Sequence, residues 1–219
     1  MYKRQIHGGF DQKTISSKYD ELSKNYEEVY TSVGWPDPAR CAQGCIDNGY
    51  TAESRVIDFG CGTGLVGIEL AKLANVEKPK IVGIDASDEM LKQADEKVVY
   101  ESTKNVMLCN PEEFKEKEAD YIGAFDYVTA SGLLAEGHAT NDVFDEMLLC
   151  LKTGGHAIFT SRTEYLDSLN YQKGIDERIE SGAWKIVSDK KHEKYSNANE
   201  KKLGRFTPCE VVTFIMQKL

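Results

Sequence analysis

One run of ten residues constrains this chain more than any other: Val56-Ile57-Asp58-Phe59-Gly60-Cys61-Gly62-Thr63-Gly64-Leu65. A short apolar stretch of strand type meets three glycines at alternate positions, and an apolar pattern of helical period starts at Leu65. Backbone without side chains bends sharply and lets a ligand approach within van der Waals range. The helix beyond offers unpaired N–H groups and a partial positive charge at its first turn. Asp58, at the strand end, is placed to organise the turn and, through water, to meet an ammonium group. Cys61, Thr63 and Leu65 complete the turn, Cys61 through its main chain and not as a nucleophile.

Ile81-Val-Gly-Ile-Asp85 is a second strand ending in an acid, and Asp85 stands 25 residues after Gly60. A carboxylate about 20 residues beyond a glycine turn, on the neighbouring strand, accepts hydrogen bonds from ribose hydroxyls. Together the two elements specify an adenosine-bearing ligand. Gly62-x-Gly64-x-x-Gly67 also satisfies the dinucleotide fingerprint, so an NAD-dependent oxidoreductase is an alternative. Phase argues against it, because Gly60 already occupies the strand-end place, and counted from there the third glycine falls at Leu65. Asp58 also sets a negative charge beside the turn, ill suited to a pyrophosphate and well suited to a cationic ligand.

Around this motif the chain alternates. Strand-type runs fall at Arg55–Phe59, Lys80–Ile84, Asn105–Leu108, Phe125–Ala130 and His156–Thr160, with helical patterns at Leu65–Ala74, Ser87–Val99 and Asn141–Leu151. Such repetition implies right-handed crossovers and an α/β architecture, a parallel sheet with helices on both faces. Lys152-Thr-Gly-Gly155 is expected to end the helix before it, with glycine in the left-handed C-terminal position. Upstream, Ile15, Tyr19, Leu22, Tyr26, Val29 and Tyr30 mark an amphipathic helix, and Asp37-Pro38 starts another as N-cap and first-turn proline. Downstream, a helix over Glu164–Glu180 leads to strands at Trp184–Ser188 and Val211–Gln217, which pair as a hairpin. A single domain of 219 residues accommodates this: N-terminal helices in 1–50, a core in 51–163, and a helix and hairpin in 164–219.

The net charge of −9 disfavours a sequence-independent grip on nucleic acid or anionic lipid. Between Lys185 and Arg205, seven Lys and Arg face three Asp and Glu, which reads as a solvated hairpin loop or a docking patch. The six cysteines form no metal-binding spacing and read as reduced thiols, with Cys41 and Cys45 sharing one helix face. No metal site is expected. No apolar run is long enough to span a bilayer, and the N-terminus lacks the apolar core of a signal peptide. The expectation is a cytoplasmic protein, with the nucleus open, acting as a monomer or weak dimer on a small molecule rather than a protein.

Asp58-Phe-Gly-Cys-Gly-Thr-Gly64 resembles the first motif of class I S-adenosylmethionine-dependent methyltransferases, and Gly83-Ile-Asp85-Ala-Ser-Asp-Glu-Met90-Leu resembles their second. Phe125-Asp-Tyr-Val128 is similar to their fourth-strand motif, and Leu151-Lys-Thr-Gly-Gly155 to the turn before their fifth strand. The likeness runs from Tyr19 to Thr163. It implies a Rossmann-like three-layer sandwich, whose seven-stranded, mostly parallel sheet has its last strand antiparallel. It also implies S-adenosylmethionine as cofactor and S-adenosylhomocysteine as product. Carried over by position, Asp58, Gly60, Gly62 and Gly64 hold the methionine part and Asp85 the ribose. Ala86 and Met90 pack on adenine, Asn110 touches its amino group where the family often has aspartate, and Ser131 approaches the methionine part. Tyr19 and Tyr26 lie on a helix that folds over the cofactor in such enzymes.

Two side chains have two readings each. His138 follows the fourth strand at the ligand end of the sheet, as a base or as an ordinary loop histidine. Arg162 follows the fifth strand, as a fork for a substrate carboxylate or phosphate or as a surface ion pair. His156 begins a strand at the far end and is structural. Methyl transfer requires proximity and alignment more than a dedicated base. A protein that binds the cofactor without transferring a methyl group is the other reading.

Overall fold

The computed structural model of the chain describes residue 28, residues 32–197 and residues 206–219. The helix expected around Tyr19 and Tyr26 lies outside them. The described strands are β1 (Arg55–Phe59), β2 (Lys80–Asp85), β3 (Ser102–Asn105), β4 (Phe125–Leu134), β5 (Leu151–Arg162), β6 (Trp184–Lys194) and β7 (Cys209–Lys218). The helices are α1 (Asp37–Asp47), α2 (Leu65–Ala74), α3 (Asp88–Glu96), α4 (Pro111–Lys117), α5 (Val143–Cys150), α6 (Thr163–Ser168) and α7 (Tyr171–Glu180).

The strands form one sheet in the order β3-β2-β1-β4-β5-β7-β6. β1 to β5 run parallel, and β7 runs antiparallel between β5 and β6. Successive strand residues point to opposite faces, so the sheet feeds two cores. Val56, Ile81, Tyr127, Ile158 and Ile215 pack with Cys41 and Cys45 of α1 and with Val66 and Leu70 of α2. Their neighbours Ile57, Val82, Val128, Phe159 and Phe214 pack on the other face with Phe114 of α4, Phe144 of α5 and Ile175 of α7. The result is a Rossmann-like three-layer sandwich. Among the described residues, no helix is long and apolar enough to cross a membrane.

The structure corrects several sequence expectations. β3 lies at Ser102–Asn105, before the apolar run expected at Asn105–Leu108. It is an edge strand held to β2 by its backbone, while Val106 and Leu108 dip into the core after it ends. The helix expected over Glu164–Glu180 breaks after Ser168, because Asn170 turns left-handed at φ +58. Lys152–Gly155 does not cap a helix. α5 stops at Cys150 and the chain enters β5 directly, with Gly154 at φ +83 where the β4–β5 register shifts. The Lys-rich stretch is not a solvated loop over its first half: it forms β6, an edge strand of eleven residues. Asp37 is not an N-cap; Pro36 occupies that position and Asp37 is buried inside the protein.

Candidate functional site

The C-terminal ends of the parallel strands bring the expected residues to one end of the sheet. β1 ends at Phe59 and the chain turns through Gly60–Gly64 into α2. The glycines do different jobs. At Gly62 (φ +54) an added Cβ would meet nothing within 4 Å, so the main chain lies bare toward open space. At Gly64 (φ +89) a Cβ would come 2.9 Å from Tyr100 Cε2, so this glycine allows internal packing.

Asp85, at the end of β2, joins the two sequence elements. One carboxylate oxygen accepts from the Gly62 N–H at 2.9 Å and the other from the Ser87 N–H at 2.9 Å. A carboxylate offers about four lone-pair sites in all. The bare turn and the acid thus form one rigid cradle. Ser87 also caps α3, its hydroxyl accepting from the Met90 N–H. The Met90 side chain is buried, and the Ala86 carbonyl accepts from Asn105 Nδ2.

Asp58 is fully buried. Burial pushes its carboxyl up to about 7, against hydrogen bonds donated by Thr129 and Tyr100 at 2.7 and 2.8 Å. The Tyr100 hydroxyl in turn accepts from the Gly67 N–H at 3.2 Å. Asp58 is thereby tied, through Tyr100, to the first turn of α2. Nothing in the sequence motif marks Tyr100; its only signal is an apolar run, Val98-Val99-Tyr100, leading to an edge strand. Tyr100 and Lys104 have the Tyr-x-x-x-Lys spacing of short-chain dehydrogenases, but Lys104 pairs with Glu118 at 2.6 Å while Tyr100 serves Asp58. They are not a catalytic dyad.

Two expected residues carry buried side-chain oxygens without a hydrogen-bond partner: Thr63 Oγ1 in the turn and Ser131 Oγ at the end of β4. Buried polar groups are nearly always satisfied, which sets these two oxygens apart. Asn110 is engaged locally. It caps α4, accepting from the Glu113 N–H and donating to the Glu113 carboxylate. The post-β3 loop is fixed by a residue sequence reasoning missed: buried Glu146 accepts from the Cys109 and Asn110 N–H groups, both at 2.9 Å. Burial pushes its carboxyl up to about 7 despite those bonds.

His138 and Arg162 come together across a cavity of about 40 Å³ at the ends of β4 and β5. Lys194, from the end of β6, shares its wall. Lys194 donates to Asp37 at 2.7 Å, and His192 stands 3.2 Å from the other carboxylate oxygen. Burial opposes ionisation of Asp37, yet Lys194, His192 and Trp35 together hold its carboxyl at about 2. His138 Nδ1 lies 2.9 Å from the Glu136 carbonyl, which only accepts, so that nitrogen carries the hydrogen. Burial, followed by the nearby Lys194 charge, lowers the imidazole pKa.

An α/β sandwich with a bare glycine turn bonded to a strand-end carboxylate has the form by which doubly wound proteins bind nucleosides. Residues 51–203 match the methyltransferase-domain family, and the chain belongs to that family. Comparison with curated proteins finds no match. Among solved structures, a TehB-like SAM-dependent methyltransferase from Corynebacterium glutamicum is 14% identical with a TM-score of 0.60, covering 93% of this chain and 99% of its own. A phosphoethanolamine N-methyltransferase from Haemonchus contortus, in complex with phosphomonomethylethanolamine and S-adenosylhomocysteine, is 16% identical with a TM-score of 0.58, covering 91% and 57%. The [4+2]-cyclase SpnF is 14% identical with a TM-score of 0.62, covering 95% and 97%. At these identities the likeness is one of fold.

Proposed function

We propose that the protein transfers a methyl group from S-adenosylmethionine to a small-molecule acceptor, leaving S-adenosylhomocysteine. The observation that carries this reading is the hydrogen bond from the Gly62 N–H to Asp85, which makes the bare turn and the acid one cradle. The orphaned Thr63 and Ser131 hydroxyl oxygens fit the polar methionine portion that such a ligand brings. When bound, S-adenosylmethionine supplies an already activated sulfonium methyl.

The chain's own residues bind and align. Asp85 accepts from the ribose diol, and the main chain at Gly62 approaches the ligand without a side chain between. Met90, Ala86 and Asn110 border the adenine, and Thr63 and Ser131 satisfy the amino-acid end. Asp58 and Tyr100 hold the turn still from below. We read residues 1–219 as one catalytic unit. Its acidic charge suits a small acceptor, in a cytoplasmic monomer or weak dimer. Within the family, Tyr19-Asp20 with Tyr26, Gly64-Leu-Val66, Ser131-Gly-Leu-Leu-Ala135 and Thr160-Ser-Arg-Thr163 support kinship with methyltransferase-like protein 27, the Williams–Beuren chromosomal-region methyltransferase.

Isothermal titration tests the cofactor. S-adenosylmethionine and S-adenosylhomocysteine should bind while NAD does not, and Asp85→Ala should weaken both at least about tenfold, as expected for loss of hydrogen bonds to a charged group. Tight NAD binding, or an unchanged affinity in Asp85→Ala, refutes the assignment. A second reading is a cofactor-binding protein without methyl transfer, since one fold can host more than one function. A methylated acceptor detected by mass spectrometry excludes it.

A further inference from the structure

The cavity shared by His138, Arg162 and Lys194 gathers two cationic side chains inside a protein of net charge −9, with Asp37 also on its wall. Asp37 neutralises Lys194 at 2.7 Å. Arg162, with a side chain 14% exposed, pairs at 3.0 Å with Glu164, whose own side chain is 61% exposed on the rim. Solvent weakens such a pair, so a ligand can compete for the guanidinium. Burial lowers the pKa of His138, so it adds no compensating positive charge at neutral pH and no negative one. The excess charge turned inward is that of Arg162.

The guanidinium is also held in place. It lies over the Tyr165 ring at 5.4 Å and the Tyr195 ring at 5.7 Å, contacts that fix its plane and leave its fork directional. Tyr195 reaches that position through a left-handed backbone, φ +64, a conformation costly for a bulky residue. Its N–H donates to the Gly34 carbonyl at 2.7 Å, which anchors the turn. The same ring stands 5.1 Å from Lys194 Nζ, and Trp35 stands 5.2 Å from it on another side.

Size and placement narrow the ligand. A volume of about 40 Å³ exceeds the roughly 10–15 Å³ that one water needs about threefold. That is room for a small polar group. The cavity also adjoins the cofactor cradle. Gly132 and Leu134 line it, and Leu133 between them stands 3.0 Å from where a Cβ on Gly60 would be. One residue of β4 separates the two spaces.

We propose that this cavity anchors a carboxylate of the methyl acceptor, gripped by the Arg162 fork with Lys194 behind it, so that the acceptor is a small carboxylic acid. The inference rests on the methyltransferase reading above. A planar carboxylate matches a guanidinium fork in two parallel hydrogen bonds.

Isothermal titration of the full chain with butyrate, butyramide and propyl phosphate, each with and without S-adenosylhomocysteine, tests it. Butyrate should bind at least about tenfold more tightly than butyramide, since charge-assisted hydrogen bonds are the strong class. Arg162→Met should abolish that preference. Arg162→Lys, which keeps the charge and loses the fork, should reduce it while the S-adenosylhomocysteine affinity stays that of the wild type. Equal binding of acid and amide, or a preference unchanged in Arg162→Lys, overturns the proposal. So does propyl phosphate binding more tightly than butyrate. Failure of S-adenosylhomocysteine to bind while the acid preference persists sinks the cofactor reading, and the acceptor role with it, separately from the carboxylate site.

Discussion

Replacing Asp37 by Asn should loosen the join between α1 and the C-terminal hairpin. The carboxylate is 1% exposed, and the side chains of its partners His192 and Lys194 are 7% and 8% exposed. The substitution strands an ammonium where water scarcely enters, and breaking a buried pair in this way costs about 3–5 kcal/mol. The titration of Asp37 gives a second figure. A carboxyl held at about 2 instead of 3.8 contributes about 2 kcal/mol at roughly 1.4 kcal/mol per decade. The first figure is larger because it includes the cost to Lys194. Urea unfolding at pH 7 should therefore show a loss of about 3 kcal/mol for Asp37→Asn, of which Asp37→Asn/Lys194→Met recovers about 1 kcal/mol or more. The sign with pH follows from a depressed folded-state pKa. The wild-type advantage is complete above about pH 4 and declines as pH falls toward 2. A single variant within about 0.5 kcal/mol of the wild type, or a double variant no more stable than the single one, refutes the reasoning.

Tyr100→Phe removes the hydroxyl between Asp58 and the Gly67 N–H; leaving two buried groups unsatisfied should cost about 2–4 kcal/mol in urea unfolding. It should also move Asp58 above its present value of about 7, visible as an upfield-to-downfield carboxyl titration by NMR; an unmoved titration would show that Tyr100 does not support the turn. Gly62→Ala meets open space but keeps φ +54, so folding should lose only about 1 kcal/mol while S-adenosylmethionine affinity falls much further. Equal losses in the two measurements would place Gly62 outside the ligand's path. Asn170→Gly, at φ +58 between α6 and α7, should be neutral or stabilising, and Asn170→Val destabilising by about 1 kcal/mol or more, read from thermal melts.

Much of the fold was legible because periodicity and punctuation agreed. β1 and α2 fall where the apolar run and the glycines put them, and β2 differs by one residue. β3 was not legible because hydrophobicity reports burial, whereas an edge strand of Ser, Thr, Lys and Asn is made by backbone pairing alone. Asp37 took a different role for a related reason. Asp37 before Pro38 has the form of a helix cap, but its partners Lys194 and His192 lie more than 150 residues away and no local pattern reveals them. Asn110-Pro111-Glu112-Glu113 does carry the signature of a capped helix start, and the helix is there. The glycine turn and Asp85 were readable since chemistry fixes both residue types and spacing. Tyr100 and Glu146, which hold the loops from behind, follow no spacing rule, and only the folded chain brings them to their partners.

The position of β7 between β5 and β6 has a bearing on biosynthesis. As the polypeptide emerges from the ribosome, β5 and β6 are made well before the strand that joins them. Until Cys209–Lys218 arrives, β5 keeps an unpaired margin with Ala157, Ile158 and Phe159 beside it, a template for intermolecular pairing. Late insertion of an inner plank makes the nascent protein dependent on β7, and deleting Cys209–Lys218 should be felt as aggregation during expression rather than as a modest drop in stability.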